Sequence, residues 1–219
     1  MPRRFDEDLT KLRQQLMAMA AVAESMVRKT IAALVDRNPI LFEEIEQDEK
    51  RMDAYQSAID SETVRLIGVH TPVAGDLRVL LMITRINAEL ERVGDQVISI
   101  CHTCQNLKLL EEPPLKPLVD LPRMAEIAEG MLHRVMGAFM SGAAGECMAV
   151  IHEDDQVDKL NDQIFRELLT YMANDVRTTT RALGLVLAAR GFERVADHAV
   201  NIAEDVVYIV RGEDIRHTK

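Results

Sequence analysis

Tryptophan is absent from the 219 residues, glycine numbers only ten, and aromatic residues make up 4% of the chain. So few turn formers argue against a turn-rich sheet protein. Cysteine is scarce too: three thiols, an odd number, do not make a disulfide framework and fit a reducing cytoplasm. No apolar run approaches the roughly 20 residues that a helix needs to span a bilayer; the longest is Ala182 to Ala189. The start, Met1-Pro2-Arg3-Arg4-Phe5-Asp6-Glu7-Asp8, turns acidic at once and lacks the apolar core of a secretion signal. Positive charge is in deficit. With 26 Lys and Arg against 36 Asp and Glu, the net charge is −10, which repels nucleic-acid phosphates and anionic lipid. There is no Gly-x-Gly-x-x-Gly, no phosphate-cradling loop and no nucleophile–base pairing, so nucleotide-binding and transferase readings have no support.

What is present points to long helices. Hydrophobic residues make up 47% of the chain and charged residues 28%, with twelve Met. Phe5, Leu9, Leu12, Leu16, Met19, Ala23 and Met26 recur in steps of four and three, the heptad pattern of a helix packed against others. The first helix is expected to run to about Arg37, where Asn38-Pro39 breaks it. A second follows from about Ile40 to Ile67, with Phe42, Ile45, Met52, Ile59 and Leu66 facing inward. After a turn at His70–Gly75, Asp76 is the expected N-cap of a third, reaching about Leu107. Four prolines between Glu111 and Pro122 mark a linker. Helices then recur over Arg123–Ser141, Glu146–Ala173 and from the Asn174-Asp175 turn to about Val210. The expected fold is all-α: two tandem three-helix bundles over residues 1–110 and 123–219, joined by a linker at 111–122.

The halves also match residue by residue. Glu91–Ile100 aligns with Glu193–Ile202 at an offset of 102 positions, with Glu, Arg, Val, Asp and Ile kept in register. The middle helices match at an offset of 105, with Met52-Asp53 on Val157-Asp158, Ile59 on Ile164 and Glu62 on Glu167. The difference belongs in the intervening turn.

Each half carries two carboxylate pairs at i, i+4 spacing: Glu49/Asp53 with Glu91/Asp95, and Asp154/Asp158 with Glu193/Asp197. Such pairs share a helix face. In an antiparallel hairpin, residues at equal height have position numbers with a common midpoint. Glu49 with Asp95 and Asp53 with Glu91 share the midpoint Pro72, inside the expected turn. Asp154 with Asp197 and Asp158 with Glu193 share one between Asp175 and Val176. Four carboxylates then face one another about 30 Å from each turn. Like charges that close call for protonation, ion pairing or a cation. Oxygen-only ligation favours Mg, Mn, Ca or Fe over copper. The bland alternative is a solvated face on which Arg92 and Arg194 pair with neighbouring acids. Against it, Glu193, Asp197, Asn201 and Glu204 fall within about 80° on one side of a helix, bordering the apolar stripe of Ala196, Val200 and Ala203.

Cys101-His102-Thr103-Cys104 lacks a second Cys/His pair of matching spacing, so free thiols packed near a helix end are expected rather than a zinc site. A ferritin-like di-iron enzyme would need Glu-x-x-His on two helices, and the chain has none. A helical adaptor with empty carboxylate grooves is the other alternative. Val93, Val195 and Ile202 lie off the main apolar stripe, so they serve either a second copy of the chain or the first helix of their own bundle.

The stretches Glu91-Arg92-Val93-Gly94-Asp95, Glu193 to Tyr208, Pro72 to Arg78 and Arg211 to His217 together resemble the PhoU family of phosphate-transport-system regulatory proteins. The resemblance spans essentially the whole chain. It implies two pseudo-symmetric three-helix domains, often dimeric. It also implies metal clusters on Glu49, Asp53, Glu91 and Asp95 and on Asp154, Asp158, Glu193 and Asp197, with Fe, Mn, Mg or Zn as candidate cations. It further implies a cytoplasmic homodimer without enzymatic activity: a negative regulator of the phosphate-starvation response that couples the ATPase subunit of a phosphate ABC transporter to a sensor histidine kinase, with no nucleic-acid partner and no insertion into the membrane. Gly191 and Phe192 depart from the family's usual residues, from which looser packing is expected there.

Overall fold

The computed structural model describes residues 4–216. Six α-helices account for almost all of them: α1 (Arg4–Asp36), α2 (Ile40–His70), α3 (Gly75–Asn106), α4 (Asp120–Ser141), α5 (Ala144–Asn174) and α6 (Thr179–Arg211), with a 3-10 turn at Val176–Thr178 before α6. There are no strands among the described residues. The heptad residues Leu12, Leu16, Met19, Ala23 and Met26 are fully buried, as are Ile45, Ile59 and Leu66 of α2. Burying each such Leu, Ile or Met side chain contributes about 1.5–3 kcal/mol.

Several boundaries differ from the sequence reading; α5, for one, runs over Ala144–Asn174 rather than Glu146–Ala173. Helix α3 starts at Gly75, with Ala74 rather than Asp76 before it, which puts Asp76 in the first turn, where its carboxylate favours the positive helix end. Helix α4 begins at Asp120, within the proline-rich stretch, because Pro122 sits in a first turn whose N–H groups have no intrahelical partner anyway. Helix α2 extends to His70, and Thr71 ends it in the left-handed region (φ 47°), its N–H donating to the Ile67 carbonyl.

Within each half the three helices pack on one another, and the halves meet along α3 against α6 and α1 against α4. α2, α3, α6 and α5 thus form one layer, with α1 and α4 behind it. α3 and α6 run antiparallel, since Arg85 reaches Asp205, Glu89 reaches His198 and Gln96 reaches Arg194. Val93, Val195 and Ile202 are fully buried within the chain, so the stripe they form is not left for a second copy. Gly191 tightens the packing where looser packing was expected: a Cβ there would lie 2.6 Å from Ile100 Cδ1, and Phe192 beside it is fully buried.

The proline-rich segment is strapped to the helices. Arg37 donates to the carbonyls of Leu110 and Glu112, and Arg181 donates to that of Pro113 at 2.7 Å.

Candidate functional site

The α2–α3 hairpin is held in register by Asn87, whose Nδ2 donates to Asp60 Oδ1 at 2.9 Å and to the Gln56 carbonyl at 3.1 Å. That register sets Glu49 and Glu91 of the two helices into a shared electrostatic environment with Asp53 and Asp95. Partial burial raises the Glu49 carboxyl above its ordinary range, and the charges of Asp53 on its own helix and Asp95 across the groove push it further. Glu91 is raised in the same way, by burial first, then by Asp95 and Asp53. The second half repeats the arrangement. Burial, then Asp197 and Asp158, raise Glu193, opposed by the charge of Arg190 and by a hydrogen bond with Asn161. Asp53, Asp95, Asp158 and Asp197 are exposed, Glu49, Glu91 and Glu193 half-buried, and Asp154 buried.

Among the described residues, no three His, Cys, Asp or Glu side chains stand close enough together to enclose one ion. The arginines offset the charge of the grooves only in part: Arg92 opposes the rise of Glu91, and Arg190 that of Glu193. Arg92 lies 3.9 Å from Glu89, and Arg194 donates to Gln96, so both lean toward the α3–α6 cleft. Asp154 and Asp197 also line that cleft, which connects the second carboxylate groove to the centre of the layer.

The cleft holds two features that the sequence reading did not single out. Glu89 accepts hydrogen bonds across the repeat boundary from His198 Nδ1 at 2.8 Å and from Asn201 Nδ2 at 3.0 Å. Burial alone would raise Glu89, but these bonds prevail and hold it below its ordinary value. Asp205 is 1% exposed and faces Arg85 at 3.2 Å. Burial pushes its carboxyl up to about 7 despite Arg85, and the charges of Glu89, Glu204 and Asp214 add to the effect. The repeat could not reveal these groups, because the offset of 102 places Gly191 opposite Glu89 and Leu187 opposite Arg85.

Cys101, Cys104 and Cys147 are free and buried. Burial pushes Cys101 and Cys104 up to about 12 and Cys147 to about 11. His102, between the first two, points outward. These inert thiols give no sign of a zinc or redox pair.

Two copies of a three-helix bundle, each with a carboxylate-lined groove on one shared face, define a duplicated all-helical protein. The chain belongs to the PhoU family, whose domain model matches residues 16–104 and again 121–206. It is 34% identical over 213 residues to the phosphate-specific transport system accessory protein PhoU of Escherichia coli, covering 97% of this chain and 88% of that one. The Caulobacter vibrioides homologue is likewise 34% identical, over 96% of this chain and 91% of its own. The crystal structure of PhoU from Pseudomonas aeruginosa superposes with a TM-score of 0.91 at 31% identity, covering 96% of this chain and all of that one. That of the phosphate transport system regulatory protein PhoU from Streptococcus pneumoniae gives 0.85 at 24% identity, a likeness of fold.

Proposed function

We propose that the chain is a negative regulator of the phosphate-starvation response. It would restrain a sensor histidine kinase when phosphate is plentiful by coupling it to the ATPase subunit of a phosphate ABC transporter. The observation that carries this reading is membership of a family whose close relatives are named accessory proteins of the phosphate-specific transport system, with similarity over nearly the full length of both chains. No helix among the described residues is long and apolar enough to cross a membrane, so a signal from a membrane transporter would pass through protein contacts on the cytoplasmic side. The reading assigns the chain no catalytic step. A homodimer, which the family resemblance implies, would have to use a surface other than the buried Val93, Val195 and Ile202.

The same reading assigns the carboxylate grooves to metal. Glu49, Asp53, Glu91 and Asp95 would hold one cluster, and Asp154, Asp158, Glu193 and Asp197 the other. The donor set suits a hard divalent or trivalent cation, and the raised carboxyls of Glu49, Glu91 and Glu193 are the mark of negative charge not yet neutralised. Closing around an ion would require the aspartates on the groove rims to change rotamer; Asp53, Asp95, Asp158 and Asp197 are all exposed. Bound metal would neutralise each groove and cross-link α2 to α3 and α5 to α6, leaving the hairpins stiffer.

The test of the regulatory reading is a starvation-gene reporter in a strain lacking this gene, grown in abundant phosphate. The reporter should stay switched on. Normal repression would contradict the reading and leave a structural adaptor as the better account.

A further inference from the structure

A pocket of about 190 Å³ lies between the end of α1, the first turns of α6 and the proline-rich segment that crosses them, and none of the groove carboxylates lines it. The helices contribute Leu34 and Leu185, both buried. The segment contributes Leu115 and Leu118 together with Pro113, Pro114 and Pro117, and the prolines bring no N–H donor. Its carbonyls at Leu110, Glu112 and Pro113 already accept hydrogen bonds from Arg37 and Arg181, so what the segment turns to the pocket is apolar. Just ahead of it, Leu109 seats the chain on α6 over Gly184, where a Cβ would lie 2.7 Å from Leu109 Cδ2. Stiff prolines, two arginine straps and this seat make the pocket pre-formed, which keeps the ordering cost of filling it small.

The charges around the pocket are all of one sign. Arg37, Lys116 and Arg181 line it and no Asp or Glu does, in a chain of net charge −10. Lys116 is neutralised by Glu167 and Asp120. The two arginines are not. Among the described residues their hydrogen bonds end on backbone carbonyls alone, those of Arg37 on Leu109, Leu110 and Glu112, and that of Arg181 on Pro113. Asp175 feels the charge of Arg181 but is itself held by Arg177 at 2.8 Å. Glu111 pairs with Lys108, while Asp36 and Glu112 are exposed and lie outside the lining. Because Glu112 and Pro113 are adjacent, the two guanidiniums meet the segment at consecutive carbonyls, one from the end of α1 and one from α6. A guanidinium has five N–H donors, and Arg181 uses one of them on Pro113.

We propose that this pocket binds a medium-chain monocarboxylate, with its hydrocarbon chain among the leucines and prolines and its carboxylate on Arg181, beside Arg37. An apolar cavity with a few convergent polar groups at its edge is the usual form of a small-molecule site, and a guanidinium is the side chain best matched to a carboxylate. Size selects within that class. A cavity of about 150 Å³ holds a six-carbon ring, so this one takes a chain of about seven or eight carbons and is too small for a protein helix. The bound anion neutralises the two arginines that fasten the segment joining the halves, so occupancy ties α1 to α6 more firmly. None of this depends on the regulatory reading.

The experiment is calorimetric titration of the full chain with sodium octanoate and, separately, with 1-octanol, which has the same chain and no charge. Wild type is compared with Arg181→Gln, which removes the charge, and with Val35→Trp, which fills the pocket from its edge, where Val35 is 49% exposed. Circular dichroism checks that each variant folds, and the two variants fail independently. Octanoate should bind wild type one to one and at least tenfold more tightly than octanol. Arg181→Gln should weaken octanoate at least tenfold and leave octanol unchanged, and Val35→Trp should abolish both. Wild type that does not bind octanoate, or that binds the two ligands equally, overturns the proposal. So does octanoate binding that survives Val35→Trp, which places the ligand elsewhere, or loss of octanol binding in Arg181→Gln, which makes that arginine a strut of the pocket and not the partner of the carboxylate.

Discussion

Glu193 on α6 and Asp158 on α5 act on each other across a helix groove, and Glu91 and Asp53 do the same in the other half of the molecule. Both pairs stand at the same distance from their own turn, so one hairpin design has been used twice. The two copies are then joined by the α3–α6 contact, whose Arg85 and Glu89 have no counterparts in the repeat.

The close approach of α6 to α3 depends on Gly191. Its missing Cβ leaves room for Ile100, whose Cδ1 would lie 2.6 Å from an alanine Cβ. Gly191→Ala should therefore destabilise the fold by about 1–3 kcal/mol, despite alanine's better helix propensity. Urea unfolding reads this directly. An unchanged or higher midpoint would show that the contact relaxes without cost.

Asp205 links stability to pH. Its carboxyl is raised from an ordinary value near 3.8 to about 7 by burial, with Arg85 opposing and Glu89, Glu204 and Asp214 reinforcing. A raised folded-state value means that the folded chain binds the proton more tightly than the unfolded chain. The resulting stability is fully present below about pH 4 and is lost as pH rises through about 7. Asp205→Asn removes that loss, so the variant should exceed wild type by on the order of 2 kcal/mol at pH 8 and by much less at pH 5. Denaturant melts at the two pH values check it. An equal difference at both would mean that Asp205 is not the titrating group.

Much of the architecture was legible in the sequence because it is periodic. The spacing of Leu12, Leu16, Met19 and Met26 marks the face of α1 that is buried, and the common midpoints of the carboxylate pairs match the hairpin register. Such arguments work within a hairpin, where a short turn leaves one way to fold back. They fail between hairpins. Glu204 and Asp205 are adjacent acids in one helix, and only the docking of α3 makes Asp205 the buried one. Val93, Val195 and Ile202, open in the sequence to either a second copy or the first helix of their own bundle, are buried within the chain. Gly191 was misread for a related reason, since a glycine that loosens an isolated helix tightens a contact when another helix lies against it.

The central claim is that the two carboxylate grooves are metal sites that fill independently. Protein purified without chelator, loaded with Mn and freed of excess ion should be measured by elemental analysis as wild type and as the Glu91→Ala, Asp95→Ala double variant. The account predicts metal on the wild type and about half as much on the variant, because the Asp154, Asp158, Glu193 and Asp197 groove is untouched. Metal content unchanged by the double substitution, or a wild type that retains none, would contradict it.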